Sequence, residues 1–330
     1  MKILVTGGLG YIGSHTVCEL YYNNMEAIII DNLSNSKISV LDKLEKIVGK
    51  KITFYQGDVC DKKLLEEIFK KEKIDGVIHF AGYKAVGESV LKPLKYYRNN
   101  IDSTITLLEV MEEYKVYNLV FSSSATVYGK PKTLPIKEDF PLSTTNPYGT
   151  TKLFIENILR DVYIANNKWN IVILRYFNPI GAHKSGLIGE DPNDIPNNLM
   201  PYIVKVATHE LPVLSIYGDD YDTTDGTGVR DYIHVCDLAY GHVLALTKGL
   251  NGLQYYNLGT GLGTSVLELV NAFEKINKVK VNRKIVERRP GDIDACYANT
   301  DKAFKELGFK TKYNIEDMCR DSYNFVIKNK

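Results

Sequence analysis

The sequence is poor in the residues that would indicate a disulfide framework or a metal centre. Its five cysteines are scattered, odd in number and never spaced as a C-x-x-C pair, at Cys18, Cys60, Cys236, Cys296 and Cys319. This pattern argues against a disulfide framework and against a zinc site. The six histidines share no metal-ligand spacing either, so we interpret them as structural and expect no bound metal.

The sequence also lacks a charge imbalance and long apolar runs. Lysine and arginine number 41 against 40 acidic residues, which gives a net charge of +1. No broad basic face for nucleic acid or for a membrane surface is therefore expected. No apolar stretch approaches the roughly 18 to 20 residues that cross a bilayer, and Met1 leads directly into a strand-like run with no signal peptide. We expect a soluble, cytoplasmic protein whose ligands are small molecules.

The first half of the chain alternates apolar runs of strand length with amphipathic segments. The runs lie at 3–6, 27–31, 51–59, 76–82, 118–124 and 171–177. Between them, helices are expected at 61–72, with Asp61 as the cap, and at about 94–114. This alternation predicts parallel strands joined by right-handed crossovers, with helices on both faces. The predicted fold class is therefore α/β, a doubly wound parallel sheet of the Rossmann kind.

The pattern changes after residue 178, where clusters of Gly, Pro, Asn and Asp separate short regular pieces. Such clusters are typical of loops. We expect a main domain at 1–178 and a smaller, loop-rich C-terminal substrate lobe at 179–330. A strand, turn and helix at 257–277 are expected to rejoin the main sheet, so that a return segment spans about 230–277.

The segment ILVTGGLGYIGSH places Gly7, Gly10 and Gly13 at the turn between the first strand and the first helix. There a pyrophosphate could approach the backbone N–H groups at the helix start. The alternative is that these glycines serve only the sterics of a tight turn. Asp31 ends the second strand, where a carboxylate binds ribose hydroxyls and repels a 2′-phosphate, which favours NAD over NADP. Asp58 lies at the same sheet edge, although it could instead cap the next helix.

Tyr148 and Lys152 form a Y-x-x-x-K pair, whose spacing puts both side chains on one helical face. Alone, this spacing is common among surface residues. Together with the glycine loop and the run SSSATVYG at 122–129, it indicates a catalytic pair.

Several longer strings carry a closer likeness: DNLSNSK at 31–37, HFAGYKAVGESV at 79–90, LRYFNPIGAH at 174–183, IPNNLMPY at 195–202 and GTGVRDYIHVCDLA at 226–239. With them the chain resembles the extended short-chain dehydrogenases/reductases, and among these the UDP-glucose 4-epimerase family, along nearly its whole length. The resemblance implies reversible 4-epimerisation of UDP-hexoses through a 4-keto sugar with bound NAD. It also implies a homodimer formed through a four-helix interface that includes the helix of Tyr148 and the long helix near Leu94.

The NAD site implied by this resemblance is lined by Gly7, Gly10, Tyr11, Ile12, Gly13, Asp31, Asn32, Asn35, Ser36, Asp58, Val59, Phe80, Ala81, Gly82, Lys84, Asn99, Ser122, Tyr148, Lys152 and Phe177. The implied substrate residues are Lys84, Ala85, Val86, Ser124, Tyr148, Asn178, Asn197, Asn198, Leu199, Tyr217, Arg230, Arg289, Asp292 and Cys296.

The implied chemistry explains the residue types. A tyrosine phenol has a pKa of about 10, and the charges of Lys152 and of the nicotinamide ring favour the phenolate that acts as base. Ser124 is implied to hydrogen-bond the 4-oxygen of the sugar and to relay its proton. Arg230 and Arg289 offer rigid forks of donors for the diphosphate, although either arginine could instead be a surface ion-pair residue.

Neighbouring activities are weaker alternatives. The related dehydratases typically place an Asp-Glu pair where this chain has Ala125 and Thr126, and neither residue can act as a carboxylate acid or base. Epimerisation or dehydration of another nucleotide sugar, net dehydrogenation and a non-catalytic NAD sensor also remain as alternatives. Intact Ser124, Tyr148 and Lys152 argue against the sensor.

Cys296 bears on specificity, because its position in this family faces the substituent on carbon 2 of the sugar. Some members carry tyrosine there, and a small thiol leaves room for an N-acetyl group. We therefore expect UDP-N-acetylglucosamine and UDP-N-acetylgalactosamine to be interconverted as well. The alternative is that Cys296 is an inert small hydrophobic residue.

Overall fold

The computed structural model describes residues 1–191, 198–289 and 292–330, and Asn197 of the predicted substrate site lies outside them. In this described part the strands are β1 (Lys2–Thr6), β2 (Glu26–Asp31), β3 (Thr53–Gln56), β4 (Gly76–His79), β5 (Asn118–Ser124), β6 (Asn170–Tyr176), β7 (Asn178–Ile180), β8 (Leu214–Tyr217), β9 (Val229–Arg230), β10 (Tyr232–His234), β11 (Leu253–Leu258), β12 (Thr264–Ser265), β13 (Arg283–Val286) and β14 (Ala295–Cys296).

The α-helices of the same residues are α1 (Tyr11–Tyr22), α2 (Ser39–Val48), α3 (Lys62–Glu72), α4 (Val86–Leu91), α5 (Pro93–Glu113), α6 (Pro147–Ala165), α7 (Leu199–Ala207), α8 (Val235–Lys248), α9 (Val266–Asn277) and α10 (Ile315–Lys328). A 3₁₀ turn follows β5 at Ala125–Tyr128, and a π turn lies at Ala303–Leu307. None of the described helices is both long and apolar enough to cross a membrane.

The central sheet has seven strands in the order β11-β6-β5-β4-β1-β2-β3, and every neighbouring pair is parallel. The chain winds outward from β1 in one direction through β2 and β3, and in the other through β4, β5 and β6. This topology confirms the predicted doubly wound α/β fold. The winding reverses between β1 and β4, which is where such sheets open a crevice for ligands at their carboxyl edge.

Both faces of the sheet are covered, as a parallel sheet requires. Along β1, Ile3 and Val5 pack into one buried apolar cluster and Leu4 into another, as the two-residue period of a strand dictates. The smaller lobe has its own core, which includes Ile203 and Phe273.

Two predicted strands end earlier in the structure than the apolar runs suggest. The run at 76–82 stops at His79, because the N–H groups of Phe80 and Ala81 turn to the Thr6 hydroxyl, at 3.2 Å each. The run at 51–59 gives only β3 (Thr53–Gln56). In both cases the residues that leave the strand form part of the cleft described below.

The return segment contributes to both lobes. Strand β11 (Leu253–Leu258) pairs with β6 as the last strand of the sheet, and α8 packs against α1. Asn257 therefore lies near the end of this strand, whereas the sequence suggested a strand beginning there. Helix α9 (Val266–Asn277) packs against α10 in the smaller lobe instead of on the sheet, because its apolar face is buried in that lobe's core.

Candidate functional site

A cleft of about 650 Å³ lies along the carboxyl edge of the sheet. Its walls come from the glycine loop after β1, from the ends of β2 to β6, from the start of α6 and from residues 187–191 of the smaller lobe. This is the edge at which doubly wound sheets bind their ligands.

The glycine loop brings the start of α1 to the cleft without a side chain in between. The N-cap of α1 is Gly10, so no side chain caps the first N–H groups of this helix. Gly7 has a φ of +68°, and a Cβ on Gly13 would lie 2.3 Å from the Gly7 oxygen. Steric need and ligand access are therefore not alternatives here, because the same glycines allow close packing and leave helix N–H groups open to an anion. The cradle fits the pyrophosphate of a dinucleotide.

Asp31 joins this loop to the next one. The side chain is only 7% exposed, and Oδ2 accepts a hydrogen bond from the Leu9 N–H at 3.0 Å. Oδ1 accepts from the Leu33 N–H at 2.9 Å and from the Ser36 hydroxyl at 2.8 Å. Asp31 therefore orders the loop at the cleft wall where an adenosine ribose would lie.

Asp58 does not cap the helix that follows it. The Asp61 carboxylate caps α3 by accepting from the Leu64 N–H at 3.2 Å, as the sequence predicted. Asp58 instead accepts from the Asn32 side-chain amide at 2.9 Å and lines the cleft.

All the residues predicted for the NAD site line the cleft except one. Phe177 lies away from the wall, buried in an apolar cluster with Val127, Tyr128 and Ile136. Its neighbour Tyr176, which ends β6, lines the cleft instead. The one-residue difference follows from the alternation of side chains along a strand, which a quoted string of letters does not reveal.

Tyr148 and Lys152 both line the cleft from α6. The helix begins at Pro147, and its N-cap Asn146 accepts a hydrogen bond from the Gly149 N–H at 2.8 Å. Lys152 is buried, and its Nζ donates to the Ser122 carbonyl at 2.6 Å. Helix α6 is thereby attached to the end of β5.

Burial dominates the electrostatics of this pair. It lowers the pKa of Lys152 to about 8, against the opposing effect of the Glu156 charge. It also raises the pKa of Tyr148, while the hydrogen bond with Ser124 acts in the other direction. Burial of Tyr148 therefore opposes the charges that were expected to favour the phenolate. A further positive charge in the cleft, such as that of a nicotinamide ring, would act against this cost of burial.

Ser124 lies at the junction of β5 and the 3₁₀ turn. It is half-buried, and its Oγ accepts from the N–H of Thr126 at 3.2 Å and from its hydroxyl at 3.0 Å. Ser124 also hydrogen-bonds the Tyr148 phenol. Ala125 and Thr126 supply no carboxylate to this corner.

The predicted substrate residues fall into two groups, and the first adjoins the cleft. Lys84 and Ala85 line it, and Val86 begins α4 next to them. The Asn198 side-chain amide donates at 2.6 Å to the Glu190 carboxylate, which the Lys84 ammonium also contacts at 3.4 Å. In addition, Leu199 begins α7, and the Asn178 N–H on β7 donates to the Asp231 carbonyl at 2.9 Å.

The second group lies on the smaller lobe and is not part of the cleft wall. The Arg230 guanidinium donates to the Asp292 carboxylate at 2.8 Å. The Arg289 guanidinium stacks on the Tyr217 ring, 3.9 Å from its centroid. Cys296 pairs with Arg230 across β14 and β9, and the Asp292 N–H donates to the Arg289 carbonyl at 3.2 Å. All five residues are therefore linked by contacts.

Cys296 is half-buried, and burial raises the pKa of its thiol to about 11. It is therefore a neutral, small apolar group at physiological pH. It packs against the cluster that contains Phe177 and Tyr128, as do Ala125 and Leu153. These last two residues directly follow Ser124 and Lys152, so Cys296 shares an apolar cluster with the neighbours of these two predicted catalytic residues.

The cleft also includes residues that the sequence analysis missed, notably Lys37, Tyr83, Tyr96, Tyr176, Leu187–Asp191 and Phe325. Lys37 was within reach of the analysis, because it ends the quoted string DNLSNSK. Residues 187–191 and Phe325 gave no local signal, since only the tertiary fold brings them over the cleft. The Lys37 ammonium meets the Asp191 carboxylate there at 2.6 Å. No cluster of three or more metal-ligating side chains is found among the described residues.

Comparison with known proteins gives a consistent picture. The family model described as GDP-mannose 4,6 dehydratase matches residues 4–322. The UDP-glucose 4-epimerase of Bacillus subtilis (strain 168) is 57% identical over 331 residues, which cover 100% of this chain and 98% of that protein.

Solved structures agree. The UDP-glucose 4-epimerase from Bifidobacterium longum, in complex with NAD+ and UDP, matches with a TM-score of 0.96 at 56% identity, covering 100% of this chain and 99% of that one. The UDP-Glc/GlcNAc 4-epimerase from Campylobacter jejuni matches with a TM-score of 0.87 at 35% identity, covering 99% of each chain.

Proposed function

The chain belongs to the family of the UDP-glucose 4-epimerases, and on this premise we propose that it interconverts UDP-glucose and UDP-galactose, a step of galactose metabolism. The reaction is an NAD-dependent isomerisation through a 4-keto sugar. The observation that carries the proposal is that Tyr148 and Lys152 line the same cleft as the glycine loop and Asp31.

NAD fits the cleft because the cleft offers suitable groups along its length. The open start of α1 would hold the pyrophosphate, and Tyr148 and the buried Lys152 line the same cleft. Held there, NAD would supply the acceptor, and then the donor, of the hydride of carbon 4 of the sugar.

The chain's own residues handle the proton and hold the substrate. Tyr148 takes the proton of the 4-hydroxyl group, and Ser124, which already hydrogen-bonds the phenol, holds the same sugar oxygen. Lys152 stabilises the phenolate by its charge from a position fixed by the Ser122 carbonyl. Because burial opposes the phenolate, a further positive charge beside Tyr148 would favour the base.

Return of the hydride to the other face requires that the keto sugar turns over while the nucleotide stays bound. Arg230 and Arg289 are the proposed anchors of the diphosphate. Both guanidinium groups already lie in ordered contacts, with Asp292 and with the Tyr217 ring. A firm hold on UDP and a loose hold on the hexose are thus assigned to different parts of the site.

Dehydration is disfavoured although the matching family model carries a dehydratase description. Elimination of water needs a further acid and base beside the sugar, and Ala125 and Thr126 cannot supply them. The Thr126 hydroxyl is directed instead to Ser124, at 3.0 Å.

We further propose that the acetylated pair, UDP-N-acetylglucosamine and UDP-N-acetylgalactosamine, is accepted. The neutral thiol of Cys296 is small, and its apolar cluster adjoins the residues that follow Ser124 and Lys152. The Campylobacter jejuni relative is described as a UDP-Glc/GlcNAc 4-epimerase, which supports the proposal.

A homodimer is proposed to form through α5 and α6. These helices pack against each other, with the Tyr97 and Phe154 rings 6.0 Å apart. Both helices also expose apolar side chains, of which Leu94 is 81% and Ile164 is 72% exposed. Light scattering that reports the mass of one chain would contradict the dimer.

The cytoplasmic location of the protein stays a prediction.

The proposed activity is tested by incubating the purified protein with UDP-galactose and no added cofactor. Formation of UDP-glucose without accumulation of NADH is expected, because retained NAD completes a closed redox cycle. Stoichiometric NADH that appears only with added NAD would indicate a net dehydrogenase instead. An absence of any reaction would favour a binding protein.

A further inference from the structure

A buried ion pair lies one helical turn from Lys152. The Arg175 side chain on β6 is 3% exposed and the Glu156 side chain on α6 is 2% exposed. Two parallel hydrogen bonds join them, from Nε to Oε1 at 3.1 Å and from a terminal nitrogen to Oε2 at 2.7 Å. This is the rigid, two-point geometry that an arginine forms with a carboxylate.

The pair is linked to the strand that carries the catalytic serine. The Ser123 hydroxyl donates to Glu156 Oε1 at 2.5 Å. The backbone carbonyl of the preceding Ser122 accepts a hydrogen bond from the Lys152 ammonium at 2.6 Å. The catalytic Ser124 is the next residue after Ser123. Glu156 lies one helical turn after Lys152 on the same face of α6. Both residues therefore contact β5 from the same side, Glu156 at the Ser123 hydroxyl and Lys152 at the Ser122 carbonyl.

The remaining donors of Arg175 reach two further segments. One terminal nitrogen donates at 2.9 Å to both the Tyr128 hydroxyl and the Glu138 carbonyl. The Tyr128 hydroxyl donates in turn to the Asn257 side chain on β11, at 2.7 Å. The network therefore joins α6, β5, β6 and β11, and each of these charged side chains has its hydrogen-bonding partners.

A buried ion pair contributes little to stability, because the desolvation of two charges offsets most of their attraction. Its position beside the catalytic groups calls for another role. We propose that Glu156 and Arg175 form a positioning pair, which fixes α6 against the end of β5 and places a negative charge one helical turn from the Lys152 ammonium. The proposal rests on the proposed epimerase function. Neither residue touches the substrate, so both act through Ser124, Tyr148 and Lys152.

The charges around Lys152 support this role. Glu156 lies one helical turn further along α6 and favours the ammonium form of Lys152, which burial disfavours. From β4, His79 is buried, and burial keeps it neutral by lowering its pKa to about 3. Tyr148 lies on the same helix as Lys152. The Arg175 guanidinium is paired with the Glu156 carboxylate. Loss of the Glu156 charge should therefore let Lys152 lose its proton at a lower pH.

The test compares Glu156→Gln with wild type and with Glu72→Gln, both as purified with bound NAD. Glutamine keeps the shape of the side chain and removes its charge. Glu72 is a matched control, a buried glutamate that accepts from the Tyr55 hydroxyl at 2.6 Å, far from the cleft. Rates of UDP-galactose conversion are measured across pH together with the thermal midpoint of unfolding.

For Glu156→Gln we expect kcat to fall roughly tenfold or more at neutral pH, with KM within about twofold, since only transition-state geometry is affected. The basic limb of the pH profile should move to lower pH by about one unit. Glu156→Asp, which keeps the charge, should return that limb toward the wild-type position. Glu72→Gln should leave kcat and the pH profile unchanged.

A Glu156→Gln profile that overlays the wild type, with or without a lower melting temperature, would overturn the proposal and leave the pair a structural one. If that variant does not accumulate as folded protein, Ser123→Ala decides, because it removes one hydrogen bond to Glu156 and keeps the ion pair. A lower kcat at unchanged KM supports positioning, and an unchanged kcat refutes it. Inactive wild type would instead contradict the proposed function.

Discussion

Substitution of Gly13 by alanine tests whether the close packing of the glycine loop is what opens the cleft to a dinucleotide. The new Cβ would lie 2.3 Å from the Gly7 oxygen and 2.9 Å from the Gly8 Cα. An ordinary carbon–oxygen contact is about 3.3 Å or longer, so the loop or the helix has to move by about 1 Å. Both contacts are with backbone, and no rotation of a side chain can relieve them.

Two measurable losses follow. Overpacking of this kind costs about 1–3 kcal/mol of unfolding free energy. The displaced helix start also loses well-aimed hydrogen bonds to the pyrophosphate, each of which contributes about 1.5–3 kcal/mol because the acceptor is charged. The loss of one such bond corresponds to an NAD affinity lower by a factor of roughly 10 to 100.

Urea unfolding gives the first quantity, and the NAD released per chain on denaturation gives the second. Gly87→Ala is the matched control, because Gly87 is exposed in α4 and an added Cβ would meet no atom within 4 Å. That variant should be unchanged or more stable by up to about 1 kcal/mol. Gly13→Ala protein that retains a full complement of NAD, with stability within about 0.5 kcal/mol of wild type, would refute the reasoning.

Three further substitutions test the chemistry of the site. Tyr148→Phe should lower kcat by a factor of about 10² to 10⁴ while the amount of bound NAD is unchanged. Steady-state rates and the NAD released on denaturation measure these two quantities. A near-normal kcat would exclude Tyr148 as the base. Lys152→Met tests the buried ammonium. The folded-state pKa of about 8 lies below the ordinary 10.5, so between these values the unfolded chain binds more protons and the wild type gains stability as pH rises. The advantage of the methionine variant in urea unfolding should therefore shrink across that range, and a constant difference would contradict the shift. Cys296→Tyr should abolish turnover of the acetylated sugars and spare UDP-galactose, with Cys296→Ser as control, and unchanged rate ratios would refute the specificity proposal.

Sequence reasoning performed well where function depends on local pattern. The alternation of apolar runs predicted the doubly wound sheet, since such runs are typical of strands buried on both faces. The spacing of Tyr148 and Lys152 placed both on one helical face, and the structure brings both to the cleft with Gly7, Gly10 and Gly13.

It performed less well where placement depends on the tertiary fold. Phe177 was predicted for the cleft wall, but Tyr176 occupies it, because strand ends and side-chain direction are settled by packing. Glu190 and Phe325 reach the cleft from distant parts of the smaller lobe, and no periodicity predicts such an approach. The burial that lowers the pKa of Lys152 and raises that of Tyr148 likewise depends on the assembled core.

The central claim is that a hydride leaves carbon 4 and returns to the same carbon from the other face. UDP-galactose carrying deuterium at carbon 4 tests it most directly, with no cofactor added and the product analysed by mass spectrometry and NMR. The account predicts UDP-glucose that retains deuterium at carbon 4, formed without net NADH. Deuterium lost to solvent, or NADH that accumulates in proportion to the sugar consumed, would contradict it.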